Sequence, residues 1–174
     1  MEPKTNSKGK NLLKKTMLIN FNSLKIKFRL KNEAKISTWI QEVLLKEKKS
    51  SNEINYIFCN DDSLLNLNRK YLNHNTLTDI LTFEVSPTLP FKQKSRGKTS
   101  GREKNQILFA DIFISIPRVK ENAKTFNFSF EDELSRVMVH GILHLCGYGD
   151  KNTGEKKTMR KMENFYLAVL KKAS

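Results

Sequence analysis

At 174 residues the chain is long enough for one domain with a self-sufficient core. Its two cysteines, Cys59 and Cys146, lie far apart and exclude a disulfide framework or a paired-cysteine zinc finger, so a reducing cytoplasm is the expected setting. Lys and Arg outnumber Asp and Glu by 32 to 18, giving a net charge of +14 and a pI near 9.8, which ranks a polyanion such as nucleic acid above an acidic protein or a neutral metabolite as partner; no apolar run reaches the ~20 residues of a membrane span.

Residues 1–16 are rich in Lys and Asn without a continuous hydrophobic stretch, and are expected to form a disordered basic tail rather than a secretory signal. The folded domain is then 17–174. Between Met17 and Leu30 pieces such as Leu24-Lys25-Ile26-Lys27-Phe28 alternate apolar and charged residues, the pattern of a strand. Ala34 to Lys48 sets Ile36, Trp39, Ile40, Val43 and Leu44 on one side of a helix, with Asn32 as its expected cap. Glu53 to Cys59 reads as a second strand, and Asn60-Asp61-Asp62-Ser63 as the start of a short helix through Tyr71.

Two stretches rich in β-formers follow, Thr78 to Val85 and Gln106 to Ser115, and are expected to pair in one sheet. Between them, 86–105 is broken by prolines and glycines and carries Lys92, Lys94, Arg96, Lys98, Arg102 and Lys104, the composition of a mobile basic loop suited to RNA contact, or of a solvated insertion with no role. Pro117 suits the first turn of a helix through Phe126, and Ser129 with Asp132 resembles a capping box ahead of a mostly apolar, hence central, helix. A last helix, 154–172, lines up Met159, Met162, Phe165, Tyr166 and Val169. Strands and helices mixed without strict alternation indicate an α+β domain with a four-stranded mixed sheet around that central helix.

The chemistry gathers near the end of the central helix. Of three histidines in the chain, His140 and His144 stand four apart, so both imidazoles share one helix face and reach one ion. Asp150 is the third candidate ligand, provided the chain leaves the helix first, and Gly147 and Gly149 offer that break. Two imidazoles, a carboxylate and water make an open zinc site of catalytic type, a reading that outweighs an ordinary buried helix with two satisfied histidines. Cys146 points off the ligand face while the helix lasts and is expected to be filler, like Cys59. Asp79 and Asp111 are candidate carboxylates for orienting the imidazoles.

His140 through Tyr148 resembles the His-Gly-x-Leu-His-Leu-x-Gly-Tyr motif of the YbeY-type metal-dependent endoribonucleases, the rRNA maturation factors of bacteria. Tyr71 followed by Thr78 to Phe83 is similar to that family's tyrosine and Thr-Asp-Val-Leu-Ser-Phe block, Ala110 to Ser115 to its Gly-Asp-Ile strand, and Met159 with Glu163 to its closing helix. The resemblance implies cleavage of single-stranded RNA, with precursor 16S rRNA near its 3′ end as target and the small ribosomal subunit as setting. Three positions depart from the pattern: Asp150 replaces the last histidine, Leu72 the arginine thought to serve the cleavage site, and Leu77 a proline. Arg69, Lys70 and His74 are the candidate replacements for that arginine.

Two other functions compete with RNA cleavage. A non-catalytic, zinc-containing RNA-binding protein of ribosome assembly would tolerate Leu72. A zincin-like metalloprotease would share the His-x₃-His-x₂-Gly-x₂-Asp spacing, but such enzymes place a glutamate base directly after the first histidine, where this chain has Gly141.

Overall fold

The structure, a computed structural model, describes residues 17–85 and 107–172. Four strands, β1 (Leu18–Leu24), β2 (Ser50–Cys59), β3 (Ile80–Glu84) and β4 (Ile107–Ser115), form one sheet in the order β1-β2-β4-β3. β1, β2 and β4 run parallel and β3 runs antiparallel to β4, so the sheet is mixed. The helices are α1 (Glu33–Lys46), α2 (Asp61–Leu67), α3 (Ile116–Thr125), α4 (Phe130–Cys146) and α5 (Thr153–Lys172). A π-helical turn, Asn68–Leu72, continues α2.

Period-two alternation divides the sheet between two apolar layers. Ile54, Tyr56 and Phe58 of β2 with Ile112 and Ile114 of β4 meet α1, α4 and α5 in the main core, whereas Cys59 and Leu81 meet Leu64 of α2 on the other side. α4 lies inside the main core, with Met138, Val139, Ile142 and Leu143 all at 0% exposure. The Tyr56 hydroxyl, buried beneath it, donates to the Met138 carbonyl at 3.1 Å, and burial pushes that phenol well above its ordinary pKa. The Trp39 indole N–H donates to the Tyr166 carbonyl at 2.9 Å and ties α1 to α5.

Several boundaries differ from the sequence expectation for local reasons. The first strand stops at Leu24 because Lys25 turns to φ 56°, and Ile26 and Phe28 reach the core from irregular backbone instead. Asn32 precedes α1 in a left-handed conformation and its side chain makes no cap. The α2 cap is Asn60, whose side chain accepts from the Ser63 N–H at 3.0 Å. In α5 Phe165 is 48% exposed and the buried stripe runs through Met159, Glu163, Tyr166, Leu167 and Leu170. The expected basic tail and the 86–105 loop lie outside the described residues. Among the described residues, no helix is long and apolar enough to cross a membrane.

Candidate metal centre

α4 is built to end where its histidines can be used. Its first turn is capped by Ser129, whose hydroxyl accepts from the Asp132 N–H at 3.0 Å. It stops at Gly147, with φ 102°, and the last turn closes by two bonds, Gly147 N–H to the His144 carbonyl and Tyr148 N–H to the Leu143 carbonyl, each 3.0 Å. This Schellman arrangement needs the left-handed residue that glycine supplies most easily. Gly149 serves the turn differently: a Cβ there would lie 2.6 Å from Glu155 Oε2, the oxygen that accepts from the Lys151 N–H. The reversal brings Asp150 Oδ2 to 3.5 Å from His144 Nε2 and 3.9 Å from His140 Nε2.

The far side of each imidazole is fixed. His140 Nδ1 lies 2.8 Å from Glu163 Oε1, and His144 Nδ1 lies 2.9 Å from the Tyr148 carbonyl oxygen. A carbonyl accepts only, so His144 carries its proton on Nδ1; a carboxylate accepts likewise, giving His140 the same tautomer. Both Nε2 lone pairs then face the same point, 2.9 Å apart. Two lone pairs at that distance repel unless a cation lies between them. The three ligand atoms fall within 4.8 Å of one another, so two neutral imidazoles and a carboxylate form a donor set that fits zinc.

Glu163 is only 5% exposed. Burial alone would raise its carboxyl, but the His140 hydrogen bond together with Arg160 and Arg136 outweighs burial and holds it below the usual carboxylate range. The two guanidinium groups each lie 3.2 Å from Oε2, leaving Oε1 for the histidine. The turn after α4 is anchored as well. Tyr148 donates to Glu47 Oε2 at 3.1 Å, and Tyr166 makes a short bond to Oε1 of the same carboxylate. Burial and that carboxylate push the Tyr148 phenol up, which keeps it a donor. Cys146 is not among the three residues whose ligand atoms gather here, and burial pushes its thiol up to about 12.

The centre opens into a cleft of about 480 Å³ between α4 and β3, which Leu72, at the end of the π-helical turn, also lines. α4 approaches β3 this closely because residue 141 has no side chain; a Cβ would lie 2.9 Å from Ile80 Cδ1 and 3.2 Å from both Ile112 Cγ2 and Thr82 Oγ1. Position 141, where zincins carry their glutamate, therefore faces the sheet.

Asp79 lines the cleft, but its carboxylate accepts from Asn122 Nδ2 at 3.0 Å. Asp111 sits on β4 and accepts from Asn55 Nδ2 at 3.0 Å. The recorded orienting carboxylate is Glu163 on α5, whose signal in the sequence was an acidic residue on an otherwise apolar stripe. His74 is exposed and does not line the cleft, and Arg69 is bonded to Asn75. Lys70 stacks over the Tyr71 ring at 5.0 Å. The six cations between Lys92 and Lys104 lie outside the described residues.

A sequence model described as Endoribonuclease YbeY matches residues 18–171. The chain is 44% identical over 152 residues to the Endoribonuclease YbeY of Flavobacterium johnsoniae, covering 87% of this chain and 96% of the relative. It is 47% identical over 146 residues to the protein of the same name from Karelsulcia muelleri, covering 84% and 92%. Among solved structures, the solution structure of TM1509 from Thermotoga maritima superposes with a TM-score of 0.53 at 26% identity, covering 88% of this chain and 89% of that one.

Proposed function

Because the chain belongs to the endoribonuclease YbeY family, we propose that it is a zinc-dependent endoribonuclease that cleaves single-stranded RNA, and that its cellular target is precursor 16S rRNA near the 3′ end during small-subunit assembly in the cytoplasm. The observation that carries the reading is the convergence of two Nε2 lone pairs, each held in place from its Nδ1 side, on a point that Asp150 also reaches. Zinc, when bound there, supplies a hydrolytic nucleophile near neutral pH and polarises a phosphoryl oxygen.

The remaining functions fall to the chain itself. Glu163 keeps the His140 proton on Nδ1, and the Tyr148 carbonyl does the same for His144, so neither ring can turn its ligand nitrogen away. Asp150 adds a negative charge that offsets part of the metal's. The Leu72 side chain leaves the cleft wall apolar where relatives are expected to carry a cation, so retention of the phosphate chain falls to the chain's other cations, the six between Lys92 and Lys104 among them.

Proteolysis fits less well, since position 141 faces the sheet and no glutamate follows His140. The experiment is a comparison of zinc-loaded protein with its His140→Ala variant on single-stranded RNA and on casein. RNA cleavage lost in the variant, with casein untouched by either, is expected. Casein cleavage would establish a protease, and RNA bound but never cut would establish a binding protein.

A further inference from the structure

The strand beside the metal centre has an edge that no described strand covers. β3 is the last strand of the sheet. Asp79 accepts from the Ser115 N–H at 2.8 Å and Val85 donates to the Phe109 carbonyl at 2.7 Å, which fixes the phase of the antiparallel ladder. Hydrogen-bonded pairs alternate along such a ladder, so Leu81 and Phe83 also turn their backbone groups toward β4, while Ile80, Thr82 and Glu84 turn theirs outward. The Ile80 carbonyl has an internal partner in the Thr78 hydroxyl at 3.4 Å. That leaves the N–H and C=O of Thr82 and Glu84 side by side on an edge where they have no backbone partner among the described residues.

The cleft follows that edge. It is lined by every residue from Thr78 to Glu84 together with His140, His144 and Asp150. Consecutive residues of a strand point to opposite faces, so a cleft that touches all of them runs along the strand's rim rather than over one side. The rim is brought to the histidines by the side-chain-free position 141, against which Thr82 Oγ1 packs.

We infer that the outer edge of β3, through the backbone N–H and C=O of Thr82 and Glu84, hydrogen-bonds the Watson–Crick edge of an unpaired base next to the cleaved phosphate. This rests on the endoribonuclease reading and adds to it the means of choosing single strands. Every base presents neighbouring donors and acceptors on that edge, which an extended backbone complements, and in a duplex the same groups are already taken. An extended polypeptide would also fit a strand edge. The net charge of +14 and continuity with the metal centre favour RNA.

Proline tests the edge directly, because Thr82→Pro or Glu84→Pro deletes an outward N–H and leaves the bonds to β4 in place. Thr82→Val and Glu84→Ala control for the side chains. The full zinc-loaded chain is assayed on a single-stranded oligoribonucleotide and on copies with one abasic ribose at each position flanking the cleaved bond. Wild-type kcat/KM is expected to fall about tenfold for an abasic residue at one flanking position. At least one proline variant should lose about as much on the intact strand and nothing further on the abasic one, whereas Thr82→Val and Glu84→Ala, whatever their rate on the intact strand, should keep the full wild-type abasic penalty. Proline variants that cleave as wild type, or that pay the full abasic penalty in addition, overturn the inference and leave the edge to an extended peptide. If neither proline variant folds, a wild type indifferent to abasic substitution at every flanking position overturns it equally. A wild type that cleaves no RNA would instead overturn the endoribonuclease reading.

Discussion

At His140 and His144 the proton position decides the chemistry, and it is decided by partners remote in sequence. His140 relies on Glu163, 23 residues further on, and the turn below His144 is moored through Tyr148 to Glu47, 101 residues back. The two histidines and Asp150 were legible because a helix repeat and a glycine turn act within a dozen residues. The partners were not, because only the packing of α1 and α5 against α4 brings them close; Asp79 and Asp111 were singled out by residue type alone. Glu163→Ala should weaken zinc binding by roughly 10–100-fold, measured by competition with a chelator. In metal-free protein the depressed Glu163 carboxyl contributes stability that is fully present above its unfolded pKa of about 4.3 and is lost as pH falls through its lower folded value. Glu163→Gln should therefore flatten the acid limb of the stability profile in urea titrations. Asp150→Ala should lose zinc affinity, and Asp150→His should keep the metal while moving the pH optimum of cleavage downward, because a neutral ligand acidifies the zinc-bound water more. An Asp150→Ala protein that binds zinc as the parent does would remove Asp150 from the ligand set.

At the scale of elements, periodicity, β-forming composition and helix-start signals together identified the four strands and five α-helices of the described residues, and what they missed was the joints. A left-handed Lys25 ends β1 early, and the π-helical turn that sets Leu72 at the cleft carries no periodic mark distinguishing it from the end of α2. Gly141 within α4 and Gly147 at its C-terminal end were both visible in the sequence, but their functions differ. Gly147 has nothing within 4 Å of its ideal Cβ, so Gly147→Ala meets only the backbone cost of φ 102°, about 1–2 kcal/mol. Gly141 has ordinary helical backbone and no room. In Gly141→Ala an overpacking cost of about 1–3 kcal/mol, set against about 1 kcal/mol of helix propensity, leaves a net loss of roughly 1 kcal/mol and pushes β3 from the histidines. Equilibrium unfolding should find both variants less stable. Only Gly141→Ala should also impair RNA cleavage under conditions where the protein is fully folded, and a fully active Gly141→Ala would show that the close approach of α4 to β3 is structural only.

Across the whole molecule, a buried α4 holds the metal centre at the rim of the sheet while the chain's net charge of +14 acts at longer range. The charge excess was plain from composition, but composition cannot say where cations sit relative to a cleft. If Lys92, Lys94, Arg96, Lys98, Arg102 and Lys104 hold phosphates, replacing all six with neutral residues should weaken RNA binding and flatten its dependence on salt, since fewer counterions are released. An unchanged salt slope would make the segment a bystander. The most direct test of the account is a titration of zinc into metal-free protein, followed by single-turnover cleavage of single-stranded RNA. Cleavage should rise in proportion to zinc and level off at one equivalent per chain. Full cleavage by the chelated protein, or none at one bound equivalent, would contradict it.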